Sequence, residues 1–98
     1  MDNNDTYRPQ MIRDIVFREE EDGAFLFDPI RDELRCINEP GVVIYKAING
    51  KNTIVDIVNR LAAAYPEVEK RQIRKDVGTF IEDLKTRGYL EDDSAEGG

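Results

Sequence analysis

The sequence predicts an α+β domain in which a three-stranded antiparallel sheet is followed by three helices, in the order βββααα. Two apolar runs, Ile15-Val-Phe-Arg18 and Ala24-Phe-Leu-Phe-Asp28, flank the acidic stretch Glu19-Glu-Glu-Asp-Gly23, whose Asp-Gly pair signals a hairpin. A third short run, Leu34-Arg-Cys-Ile37, follows a second turn at residues 28–32. Beyond Asn38 the apolar residues recur at helical rather than alternating spacing.

Taken in order, residues 1–10 and 91–98 are polar and aperiodic, and are expected to be loose tails around a folded domain spanning 11–90. The third strand has a single partner in such a meander, so one of its edges is expected to be free. No loop separates it from the first helix: Asn38 is a favoured N-cap, and Pro40 falls in the first turn, where its missing N–H is harmless. The first helix should run from Glu39 to Ile48 and stop at Asn49-Gly50. Thr53 and Asp56, at capping-box spacing, open a second helix with Ile54, Ile57, Val58, Leu61, Ala62 and Tyr65 on one stripe, and Pro66 ends it. A third, from about Val68 to Arg87, gathers Ile73, Val77, Phe80, Ile81 and Leu84 on one face before Gly88, after which Tyr89-Leu90 returns to the core.

Ninety-eight residues with 40% apolar content are enough for one hydrophobic core. No apolar run approaches the ~20 residues of a membrane span, and the N-terminus does not read as a signal peptide, so a cytoplasmic protein with no membrane association is expected. The single cysteine, Cys36, fits a reducing compartment and reads as a small apolar strand residue. Histidine is absent, as is any glycine-rich phosphate loop, which leaves no catalytic constellation. The expectation is a protein that is not an enzyme and carries no metal or organic cofactor. A net charge of −7 opposes general nucleic-acid binding. The charge is uneven, however: residues 69–87 hold six basic and four acidic side chains, beside an acidic C-terminal stretch.

Certain residues, in this order and spacing, resemble the PqqD family. They are Phe27-Asp-Pro29, the Ile37-Asn38 junction, Gly41 with Ile44-Tyr45, Gly50-Lys-Asn-Thr-Ile54, Ile57, Leu61, Tyr65, Asp76-Val77, Phe80, Leu84 and Gly88-Tyr-Leu90. The resemblance extends over about residues 12–90. It implies a winged-helix-like, non-catalytic recognition element that holds the leader of a ribosomally made precursor peptide and presents it to a modifying enzyme, often a radical-SAM enzyme. It also implies that the leader is added as an extra strand beside the third strand, with side chains in a groove formed with the third helix.

On this chain the expected peptide contacts are Leu34, Arg35, Cys36 and Ile37 of the strand, with Arg74, Val77, Gly78, Ile81 and Lys85 of the helix. At ~100° per residue, Arg74, Gly78, Ile81 and Lys85 follow one border of the apolar stripe. Gly within a helix costs roughly 1 kcal/mol relative to Ala, so Gly78 calls for a reason. Close approach of a peptide backbone is one, and tight packing of another helix is the alternative. Gly78 lies outside the family pattern. The rival readings are a DNA-binding winged helix, favoured by the locally basic third helix, and a structural subunit of a modifying enzyme.

Overall fold

The computed structural model describes residues 7–90; the expected tails at 1–6 and 91–98 lie outside the described residues. Three strands, β1 (Val16–Glu20), β2 (Gly23–Asp28) and β3 (Glu33–Asn38), form an antiparallel sheet in the order β1-β2-β3. Three helices follow, α1 (Glu39–Ala47), α2 (Ile54–Ala64) and α3 (Lys70–Thr86). The βββααα order expected from the sequence is the order observed.

Strand alternation explains the sheet's two faces. Ala24, Leu26 and Ile37 point to the helices and are buried, together with Val42 of α1. The larger cluster joins Ile44 of α1, Ile57 and Leu61 of α2, and Ile73, Val77, Ile81 and Leu84 of α3, with Tyr89 and Leu90 closing it from the C-terminal side. Phe80 packs against both clusters. The first hairpin is tighter than the sequence suggests: Glu19 and Glu20 lie within β1, opposite Ala24 and Gly23, and the turn is reduced to Glu21-Asp22. An outermost strand tolerates these glutamates because their side chains remain in water.

The junction between sheet and helices is closer than a short connection. Asn38 is the last residue of β3, paired with Gly23, and is also the N-cap of α1, its Oδ1 accepting from the Gly41 N–H at 3.0 Å. At α2 the capping box is formed in both directions, Asp56 N–H to Thr53 and Thr53 N–H to Asp56. α1 ends at Ala47, just short of the expected residue, and Gly50 takes a φ of 77° as the chain reverses. α3 begins at Lys70, two residues later than expected, and Glu69 gives it no side-chain cap.

Residues 7–10 differ from the expectation of a loose tail. Pro9 is fully buried and its carbonyl accepts from the Gly50 N–H at 2.9 Å, while Arg8 donates to the Lys51 carbonyl. Met11 bridges to Leu90, so this segment is strapped across the helical side of the domain. A polar composition gives no hint of these contacts, which are to residues some forty positions away or, for Met11, nearly eighty.

Candidate functional site

The two outer strands of the sheet differ in kind. β1 carries Arg18, Glu19 and Glu20, charges that discourage further pairing, whereas β3 carries Leu34, Cys36 and Ile37. Among the described residues nothing pairs with the far side of β3. Its backbone N–H and C=O groups on that side are open to a further strand.

Beside this edge runs a groove of about 470 Å³ between β3 and α3. Arg35 and Asn38 form its strand side, Gly41 and Ile44 its floor, and Lys75, Asp76, Thr79, Phe80 and Asp83 its helix wall. Gly41 suits the floor. A Cβ there would come within 3.2 Å of Phe80, Ile37 and the Asn38 Oδ1, so glycine lets the first turn of α1 lie against both strand and phenylalanine. A second hollow, lined by Arg35, Cys36, Ile37, Asn38 and Phe80, continues the groove onto the edge itself.

Ion pairs set the distance between strand and helix. Arg35 meets Asp83 at 2.8 Å across the groove, and Arg87 reaches both Asp83 at 3.3 Å and Glu33 at 3.6 Å. Arg31, in the turn before β3, donates to the Arg87 carbonyl at 2.7 Å. These pairs are about one-third to one-half exposed, so each contributes at most about 1 kcal/mol. Their larger effect is geometric, since four side chains together hold the edge at one spacing from α3.

The same turn is pinned by Asp28, which is buried and accepts hydrogen bonds from the amides of Ile30 and Arg31 at 3.0 and 3.2 Å. Burial alone would raise its pKa. The two amides, the Arg13 guanidinium and the neighbouring Tyr89 hydroxyl outweigh burial and hold the carboxyl below the ordinary aspartate value of 3.8. A lowered folded-state pKa stabilises the fold above the unfolded value and loses that contribution as pH falls through the folded one. The urea midpoint should therefore drop below about pH 4, and Asp28→Asn should be less stable at neutral pH and flatter across the acid range. An unchanged acid profile in Asp28→Asn would remove the turn's dependence on this carboxylate.

The nine residues expected at the site divide. Arg35, Cys36 and Ile37 line the edge hollow, and Leu34 stands exposed on the same strand. Val77 and Ile81, by contrast, are buried in the core, 0% and 4% exposed, and neither lines the groove. Arg74, Gly78 and Lys85 follow the opposite border of α3 from Lys75, Thr79 and Asp83. Arg74 is exposed, a Cβ on Gly78 would meet nothing within 4 Å, and Lys85 lies 4.8 Å over the Tyr7 ring of the N-terminal strap. The space beside Gly78 is open, so no other helix packs tightly against it. The helix wall of the groove itself is made by Phe80, read from the sequence as core alone, and by the polar residues Lys75, Asp76, Thr79 and Asp83. The signal that was available is their spacing, which follows the other border of the same apolar stripe.

No helix of the described residues is long and apolar enough to cross a membrane. Among those residues no group of three or more His, Cys, Asp or Glu is placed to hold a metal ion.

The architecture has solved counterparts. It is similar to a lasso peptide synthetase B1 complexed with its leader peptide (TM-score 0.75, 20% identity, 88% of this chain and 100% of that one). It is also similar to TbiB1 in complex with the TbiA(beta) leader peptide (0.72, 18%, 84% and 94%). A third counterpart is the PqqD truncation of Methylobacterium extorquens PqqCD, described as a functional, stand-alone RiPP recognition element (0.67, 22%, 86% and 88%). Among curated protein sequences none matches the chain significantly. The sequence profile of PqqD, the coenzyme PQQ synthesis protein D, matches residues 23–90, from the first residue of β2 to the buried Leu90, and the chain belongs to the PqqD family.

Proposed function

We propose that this protein is a non-catalytic peptide chaperone that takes the leader of a ribosomally synthesised precursor peptide as an added strand on β3 and presents it to a modifying enzyme. The observation that carries the reading is the unpaired β3 edge lying directly beside the β3–α3 groove. Strand addition draws affinity from main-chain hydrogen bonds and selectivity from pockets for alternate side chains, and both are present within one strand's width. Two structural counterparts carry a leader peptide, which supports the same reading. The cap that Asn38 makes immediately after β3, and the ion pairs at Asp83 and Arg87, hold the edge rigid before binding, so little order has to be imposed by the ligand.

The contacts assigned to the peptide are Leu34, Arg35, Cys36 and Ile37 on the strand, with Thr79, Phe80 and Asp83 on the helix. The partner enzyme is assigned to the radical-SAM class and the location to the cytoplasm. The test is an amide-shift titration of the full chain with synthetic peptides covering the short open reading frames that neighbour its gene. Shifts should concentrate on β3 and on residues 75–83. Shifts confined to α2 or the first hairpin would overturn the assignment. Duplex DNA should give no steeply salt-dependent binding, because carboxylates crowd the hairpin tip at Glu19–Asp22 and the chain is acidic overall. A sequence-specific complex at nanomolar protein would restore the DNA-binding alternative.

A further inference from the structure

We propose that the outer face of the sheet reads the other half of the bound peptide's side chains, taking apolar residues beside Leu34 and Cys36 and a lysine or arginine beside the β1–β2 tip. The inference rests on strand addition at β3 and concerns the side chains that such a strand turns away from the α3 groove.

The register sets out rows across the outer face: Val16, Phe27 and Leu34; then Arg18, Phe25 and Cys36; then Glu20 and Gly23, where the paired Asn38 turns its side chain to cap α1 instead. A sheet face left in water is ordinarily polar. Here the first row is apolar on all three strands, with Val16 53% and Leu34 62% exposed. That row ends at the free edge, so a strand added to β3 lengthens it. The new side chain would stand about 4.5–5.5 Å from Leu34, Cβ to Cβ, and gain an apolar neighbour by the same pairing that stabilises natural sheets.

Two positions along the added strand, the next outward side chain stands beside Cys36 and Phe25. Two further on, the row runs to Gly23, which has no side chain, and opens into a hollow of about 320 Å³ lined by Phe25 and Cys36, by Glu20, Glu21 and Asp22 of the tip, and by Ala24 and Ile37. Arg18 holds Glu20 at 3.1 Å, whereas Glu21 and Asp22 make no ion pair among the described residues. A long cationic side chain fits this place, its methylenes over Phe25 and its charge at the tip. The α3 groove contrasts with it, since Arg35 and Lys75 are there balanced by Asp76 and Asp83. The outward positions of the ligand should accordingly read apolar, apolar, basic at every second residue, in one direction or the other.

A displayed library of random linear peptides, selected on the full-length protein, tests this, with each binder located by the amide shifts it causes. Binders that shift β3 should show the period-two pattern. Leu34→Lys, at an exposed position, should weaken them about fivefold and on reselection exchange the apolar residue for an acidic one. Glu21→Gln with Asp22→Asn should weaken them about threefold and abolish the preference for a cation. Binders that shift β3 yet accept any residue at the outward positions, and bind Leu34→Lys as they bind wild type, would overturn the outer-face assignment while leaving strand addition standing. Binders that shift no β3 amide would overturn strand addition itself.

Discussion

Thr79→Trp should weaken peptide binding at the β3 edge by more than about tenfold while leaving the fold intact. Thr79 is exposed on the helix wall of the groove and belongs to neither buried cluster, so replacing it removes no core contact. Threonine and tryptophan have similar helix propensities, and the added indole occupies the space that an inward-pointing ligand side chain requires. The companion change is Gly78→Leu. One residue away along the chain but ~100° around the helix, it points into open solvent, where a Cβ meets nothing. It should bind peptide as wild type and gain about 0.5–1 kcal/mol of stability from removing a helical glycine. Calorimetry with a peptide that shifts β3, and urea unfolding of both variants, measure the pair. The opposite outcome, with binding lost in Gly78→Leu and kept in Thr79→Trp, would move the ligand to the far border of α3.

The largest loss of stability is expected from Gly23→Ala. Gly23 has a φ of +156°, and a Cβ there would come 2.0 Å from the Ile37 carbonyl oxygen and 3.2 Å from the Asn38 Cα. Both are backbone atoms of the paired strand and neither can swing aside. Relief would require opening the β2–β3 ladder at the end that carries Asn38, the residue that caps α1. The variant should lose more than about 3 kcal/mol in urea unfolding, and what remains folded should bind peptide poorly because the β3 edge is no longer held straight. A variant within about 1 kcal/mol of wild type would contradict the close approach on which this register depends.

The local rules served the elements well. Alternating apolar residues in β2, the Asn38 cap with Pro40 behind it, and the Thr53–Asp56 capping box each depend on neighbours a few positions apart, and each is found where the sequence puts it. The free edge was legible for the same reason, because a meander of three strands leaves its third strand with one partner. The strap at residues 7–10 was not legible. Its hydrogen bonds run from Pro9 to Gly50 and from Arg8 to Lys51, and short polar segments look alike whether or not a distant loop receives them.

The site shows the same division. The sequence by itself determined that α3 buries a stripe through Ile73, Val77 and Leu84, and that β3 runs without slack into α1. A helical stripe has two borders, however, and periodicity is symmetric about its centre. Arg74, Gly78 and Lys85 follow one border, Lys75, Thr79 and Asp83 the other, and each carries a comparable mixture of charge and small residues. Only the packing of α3 against the sheet decided which of them faces β3. The Arg35–Asp83 pair and the Phe80 ring mark the chosen side, and the Lys85–Tyr7 contact marks the side given to the N-terminal strap. The physical reason is that intrahelical spacing fixes angles only within a helix, whereas the direction of the groove is a relation between two elements some forty residues apart.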